Sequence, residues 1–209
     1  MRMTRENEVL SAFEAFTGDY DSFMERTGHV KAIYGSLDRL RKFLKGRVLD
    51  VATGTGFVAH ELAGLGTVKE VIGVDISEKM LLEARKKASR KEKFVRAEAE
   101  QLPFPDNSFD AVTCCLGLAW FADHAKALKE MARVCREDGA IIVMQDEGPM
   151  CVGRSEGMKR FADLAAAVTL SDAKAVLKPL GWHAVSDFTV KIDTPQHILA
   201  TAVFRMVMG

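Results

Sequence analysis

From Arg47 onward the chain alternates two kinds of segment, and this alternation limits the fold more than any single motif does. Short runs rich in β-branched and apolar residues read as strands: "RVLDVAT" (47–53), "EVIGVDI" (70–76), "KFVRAEA" (93–99), "DAVTCCLG" (110–117) and "GAIIVMQ" (139–145). Between them fall segments with helical spacing. "FVAHELAGLG" (57–66) follows the first strand; Ser77 caps a helix with Met80, Leu81, Ala84 and Ala88 on one face; Asp123 caps another carrying Leu128, Met131, Ala132 and Cys135. "LPFPDNSF" (102–109) is turn chemistry, and a helix or two are expected within 156–178. Strands joined by crossover helices run parallel, so the pattern predicts an α/β fold, a doubly wound and mostly parallel sheet covered on both faces. "GWHAVSDFTVKI" and "TPQHILATAVFRMVM" have no helix between them, which predicts a closing hairpin and an antiparallel edge.

With 209 residues the chain suits one domain. It divides into an N-terminal helical segment (1–45), a core (46–146), and C-terminal helices with the strand hairpin (147–209). The N-terminal segment is placed either to fold over a crevice as a lid or to cover an apolar sheet edge. The formal net charge is zero, so no global field draws the chain toward nucleic acid or anionic lipid. The basic runs "DRLRKFLKGR" and "RKKASRKEK" lack interleaved aromatics for base stacking and read as solvated helix faces, so a nucleic-acid partner is not expected. The longest apolar stretch, Ala111 to Ala122, is too short to span a bilayer, and the first residues lack a signal-peptide core; a cytoplasmic protein is expected. No Cys or His pair has metal-ligand spacing, so no metal is expected.

The first strand leads into "VLDVATGTGFVAH" (48–60). Gly54 and Gly56 let the backbone turn tightly and approach a ligand, and Ala59 allows close packing of the following helix. Asp75 ends the second strand, where an acid can accept both hydroxyls of an adenosine ribose. Asp50 decides between two cofactor classes. A dinucleotide would set its pyrophosphate near that carboxylate and be repelled, whereas S-adenosyl-L-methionine brings an ammonium and a sulfonium, which a carboxylate attracts.

"VLDVATGTG", "VIGVDIS", "AEAEQLPFPDNSFDAV" and "ALKEMARVCREDGAIIV" occur in that order over about residues 45–146. In them the chain resembles the class I S-adenosylmethionine-dependent methyltransferases, and within these the subgroup of ubiquinone/menaquinone C-methyltransferases and related small-molecule enzymes. The resemblance implies a Rossmann-like seven-stranded sheet with an antiparallel last strand. It implies that Asp50, Ala52, Thr53, Gly54 and Gly56 surround the methionine part of the cofactor, with Asp75 on the ribose and Ile76 and Met80 beside the adenosine. It further implies that Ala97, Glu98 and Ala99 meet the adenine edge and that Leu116 closes the methionine end. Glu98 stands where aspartate is common, and "REDGA" replaces a more usual proline-glycine turn.

Methyl transfer from a sulfonium is an in-line displacement, in which the protein chiefly aligns the reactants and excludes water. The expected activity is methyl transfer to a small-molecule acceptor, with S-adenosyl-L-homocysteine as product. A base is needed only where the acceptor must lose a proton. Asp123 and His124 are the first candidates; Trp120, Asp146 and Glu147 also follow the fourth and fifth strands, and His29, Tyr20 and Tyr34 lie on the N-terminal segment. "DEGPMCVGRSEG" (146–157) is short for a substrate-covering insertion, which disfavours a long isoprenoid quinone and shifts recognition to the N-terminal segment. A cofactor-binding protein without turnover and an NAD-dependent oxidoreductase are the alternative readings. Monomer and homodimer both remain open.

Overall fold

The computed structural model describes residues 4–147, 165, 167–192 and 198–206. Five strands run parallel: β1 (Gly46–Val51), β2 (Val68–Asp75), β3 (Glu92–Arg96), β4 (Phe109–Cys115) and β5 (Cys135–Glu147). The chain closes with β6 (Trp182–Lys191) and β7 (Ile198–Met206), which pair antiparallel, β7 lying against β5. The sheet order is β3-β2-β1-β4-β5-β7-β6. This is the mixed seven-stranded sheet expected from the alternating segments and the terminal hairpin.

Helices cover both faces. α1 (Arg5–Arg26) and α2 (His29–Arg39) precede the sheet; α3 (Phe57–Gly64), α4 (Glu78–Lys87), α5 (His124–Val134) and α6 (Leu170–Leu177) follow its strands. Alternate strand residues feed two separate cores, as the two-residue period of a strand requires. Leu49, Ile72, Val112, Ile141 and Val143 pack with Leu128 and Met131 of α5 and Ala173 of α6. Val48, Val71, Ala111, Ile142 and Met144 pack with Ile33 and Leu37 of α2, Leu62 of α3 and Leu81 of α4. Burial on both faces explains why these strands read as continuous apolar runs. Cys114 falls in the first core and Cys115 against the second, on opposite faces as adjacent strand residues must.

The structure departs from the sequence expectation in several places; Ala88, expected on the apolar face of its helix, is the exposed C-cap of α4. Cys135, expected on the helix, is the C-cap of α5 and the first residue of β5. "REDGA" belongs to that strand, whose pairing with β4 shifts register between Phe109 and Ala111. Gly139 is required there, because a Cβ would come within 2.8 Å of the Asp110 carbonyl oxygen. β3 stops at Arg96, and the Ala97 N–H instead donates to the Asp75 carbonyl at 3.1 Å, turning the chain across the end of β2. Within the expected 156–178 helical region, α6 accounts for 170–177, while 156–164 and most of the 146–157 connection lie outside the described residues.

β1 is flanked by β2 and β4, and sequence order reverses between β1 and β4. Ligand crevices in open α/β sheets form beyond the carboxyl ends of the strands at such a switch point.

Candidate active site

After β1 the backbone enters the left-handed region three times, at Ala52 (φ 58°), Gly54 (φ 56°) and Gly56 (φ 90°). At Gly54 a Cβ would meet nothing nearer than the Tyr20 ring at 4.0 Å, so this peptide faces open space. Its N–H donates to Asp75 Oδ2 at 2.9 Å, and the Ser77 N–H donates to Asp75 Oδ1 at 2.9 Å. One carboxylate thereby ties the turn after β1 to the turn after β2, and each oxygen retains accepting capacity. Burial raises the Asp75 pKa above the ordinary carboxylate value, against the opposing effect of these backbone bonds. On the far side of the cradle, Leu116 follows β4 with φ 59°, and its N–H donates to the Met144 carbonyl at 2.7 Å. Such geometry is strained for a residue with a Cβ, and it brackets the switch point together with Ala52.

A cavity of about 1040 Å³ opens from this cradle. Drug-sized ligand sites occupy roughly 300–1,000 Å³, so the space accommodates more than one small molecule. Its cradle end is lined by Ala52, Gly54, Asp75, Ile76, Met80, Ala97, Glu98, Ala99 and Leu116. These nine expected cofactor contacts lie together, and the open space at Gly54 beside the Asp75 carboxylate fits a ribose-bearing ligand. Gly56 and Thr53 sit behind that wall. Gly56 is the N-cap of α3, and the His60 ring fills the space a Cβ would need.

Asp50 takes a different place from the one expected. It is 1% exposed and is not among the described residues lining the cavity. Thr53 Oγ1 donates to its Oδ2 at 2.7 Å and Thr113 Oγ1 to its Oδ1 at 2.6 Å. Burial pushes its carboxyl pKa up to about 6. Thr53 from the turn and Thr113 from β4 hold it between turn and sheet, so both carboxylate oxygens are engaged within the protein.

The other end of the cavity is roofed by the N-terminal helices. Phe13, Phe16, Tyr20 and Phe23 of α1 and His29 of α2 face Trp120, Gln145 and Asp146 at the ends of the strands. Phe13 meets Trp120 edge to face with centroids 5.0 Å apart. Arg5 ties the start of α1 down, donating to the Phe121 carbonyl at 3.1 Å and the Ala119 carbonyl at 3.0 Å. Lys87 of α4 pairs with Asp21 at 2.7 Å. The Tyr20 phenol lies between the two ends, where burial and then the nearby Cys115, Asp75 and Asp146 push its pKa upward.

The catalytic candidates are distributed unevenly. Asp123 reaches the cavity but spends Oδ1 as the α5 cap, accepting from the Lys126 N–H at 2.9 Å. His124, one residue further, is not among the described lining residues. Glu147 lines the cavity and accepts from the Leu170 N–H at 3.0 Å, while Tyr34 is not among the lining residues described. Sequence reasoning did not pair His29 with Asp146. His29 Nε2 lies 3.1 Å from Asp146 Oδ2, across 117 residues of chain, and Thr27 Oγ1 lies 2.6 Å from His29 Nδ1. No spacing rule relates positions so distant; the packing of α2 on β7 and β6, next to β5, brings them together. Among the described residues no group of His, Cys, Asp and Glu could hold a metal ion. No helix among the described residues is long and apolar enough to cross a membrane.

The sheet order and the antiparallel β7 define a Rossmann-like methyltransferase fold. The methyltransferase-domain family matches residues 49–143. A demethylmenaquinone methyltransferase of Geobacillus kaustophilus is 35% identical over 161 residues, 73% of this chain and 69% of that enzyme. The chain belongs to the S-adenosylmethionine-dependent methyltransferase family. A demethylmenaquinone methyltransferase of Deinococcus radiodurans is 44% identical over 106 residues, 49% of this chain, but the match spans only 44% of that relative's length. A solved S-adenosylmethionine-dependent methyltransferase from Thermotoga maritima shares the fold with a TM-score of 0.74 and 21% identity, covering 95% of this chain and 100% of that one.

Proposed function

We propose that this chain binds S-adenosyl-L-methionine in the cradle formed by Gly54, Asp75 and Leu116 and transfers its methyl group to a small-molecule acceptor held under α1. The observation that carries this reading is the continuity of one cavity, which joins a cradle suited to an adenosine ligand to a separate aromatic-walled end. The bound donor would supply an electrophilic methyl group on a cationic sulfur. Asp75 would accept from the ribose hydroxyls, and the backbone of Ala97 to Ala99 would border the adenine. The Asp50 carboxylate, when ionised, would favour the positive end of the donor from behind the turn. Phe13, Phe23 and Trp120 would hold the acceptor flat and keep water from the path of transfer.

The curated relatives are named for a quinone-type small molecule, which supports a small organic acceptor here. Asp123 and His124 stay as proton-transfer candidates from the sequence, with Asp123 the better placed. The test is calorimetry with S-adenosyl-L-methionine and with NAD, followed by labelled-methyl transfer to a panel of phenols, quinols and amines. The expected result is binding of the first ligand alone and label in at least one acceptor. Binding of NAD in its place would overturn the reading.

A further inference from the structure

We infer that Thr27, His29 and Asp146 form a proton-accepting relay for methyl transfer to a hydroxyaromatic acceptor, with Asp146 as the catalytic residue in front and the other two as positioning residues behind it. The inference rests on the reading of the cavity as a methyl-transfer site. Exposure sets the order of the groups: the Asp146 side chain is 15% exposed and that of His29 5%. His29 presents Nε2 to Asp146 Oδ2 and Nδ1 to Thr27 Oγ1, so both ring nitrogens are engaged within the trio.

The hydroxyl of Thr27 makes this arrangement able to gain one proton. Thr27 Oγ1 lies 2.6 Å from His29 Nδ1 and 2.8 Å from the Phe23 carbonyl oxygen. A hydroxyl carries one hydrogen and can also accept, whereas a carbonyl only accepts. With Thr27 donating to Nδ1, the imidazole is neutral and donates from Nε2 to the Asp146 carboxylate. With Thr27 turned to the Phe23 carbonyl, Nδ1 donates to Oγ1. Asp146 then either carries a proton, which it donates to a bare Nε2, or remains a carboxylate against an imidazolium. The two hydroxyl orientations therefore match two protonation states that differ by one proton, and both partners are already within hydrogen-bond distance.

A second observation points to the kind of molecule that supplies the proton. Gln145 also lines the cavity, is 5% exposed, and its Oε1 is buried with no hydrogen-bond partner among the described residues. A buried acceptor without a donor is costly. Gln145 and Asp146 are consecutive on β5 and leave the strand on opposite faces, yet both line the cavity; an unpartnered acceptor and a carboxylate on its wall suit a ligand that donates, and the walls of Phe13, Phe23 and Trp120 favour a flat one. In the step itself the acceptor O–H bond breaks and its proton passes to Asp146. The freed oxygen pair forms the new O–CH₃ bond, and the S–CH₃ pair stays on sulfur, leaving a neutral thioether.

The test uses the full chain loaded with S-adenosyl-L-homocysteine, with 4-nitrophenol as probe, at a pH below the probe's own pKa. In the wild type the bound probe should show the visible phenolate band, its proton having moved to the protein. Asp146→Asn should bind the probe as the neutral phenol, with cofactor affinity and melting temperature close to wild type. Thr27→Val should weaken the phenolate band and Thr27→Ser should restore it, which a merely structural role would not produce. In turnover with S-adenosyl-L-methionine, Asp146→Asn should lower kcat by about 100-fold for weakly acidic phenols. That loss should shrink for phenols already ionised in solution. A neutral bound probe in the wild type, an equal phenolate band in Asp146→Asn, or no probe binding to the loaded protein would each overturn the relay. Failure of S-adenosyl-L-homocysteine to bind in calorimetry would instead overturn the reading on which the relay rests.

Discussion

At the cradle end of the cavity, the walls come from strand ends, the turns that follow them and one helix residue, Met80, all between residues 52 and 116. At the roofed end, side chains of α1 and α2 face strand ends a hundred or more residues away, and the His29–Asp146 contact spans 117. Polar contacts also differ. Asp75 and Asp50 each hold two hydrogen bonds that fix the turns after β1 and β2, whereas the roof meets the segment after β4 through the aromatic pair Phe13–Trp120 and the Arg5 bonds to backbone, and the sheet through His29 and Asp146. The comparison teaches that one end is a property of the sheet itself, and the other is assembled only when separate helices dock on it.

The largest test of this contrast concerns Asp50, the most deeply anchored group of the cradle. Its folded-state pKa of about 6 lies above the 3.8 of a free side chain, so the folded protein resists ionising it while the unfolded chain does not. Its effect on stability is therefore most favourable below about pH 4 and is lost as the pH rises to about 6, by about 3 kcal/mol. Denaturant titrations across that window should show this fall in the wild type and its absence in Asp50→Asn. A parallel slope in both proteins would mean that the buried acid is not what the cradle is built around.

A somewhat smaller effect is expected from Asp75→Ala, which removes the tie between the two turns as well as the carboxylate proposed to accept from a ribose. S-adenosyl-L-methionine affinity measured by calorimetry should fall by about 1.5–3 kcal/mol. The apparent affinity for an identified acceptor should change far less. If both fell together, the two ends would be one cooperative unit and the contrast would break.

The smallest effect belongs to the roof. Phe13→Ala removes the edge-to-face contact with Trp120 and should raise the acceptor KM by the equivalent of about 1 kcal/mol. Cofactor affinity should remain close to wild type. Loss confined to the cofactor would reverse the assignment of the two ends.

The same contrast explains what was legible in the sequence. The alternating segments, Gly54 and Asp75 announce themselves because a strand, a left-handed turn and a strand-terminal acid are local features read within a few residues. The antiparallel hairpin was legible for the same reason, from a missing crossover helix between two strand patterns. Asp50 was readable as an acid at the turn, but not its burial, because Thr113 comes from a different strand. His124 drew attention as a histidine next to an aspartate, although adjacent residues at a helix start diverge around the axis. His29 and Asp146, far apart in sequence, converge instead, and nothing in either neighbourhood predicts it. Leu116 likewise gives no hint of its positive φ, since leucine seldom adopts one.

Asp146 owes its position to the pairing of β5 with β7, in which it stands opposite Leu199. During synthesis the segments forming the cradle emerge well before residues 198–206, and the outer edge of β5 can be zipped up only afterwards. Until then, an apolar strand edge stands open to pairing with another chain. A nascent or C-terminally clipped molecule would thus have a formed cradle beside an adhesive sheet border, so the hairpin both steadies the strand that carries Asp146 and guards that border against clumping.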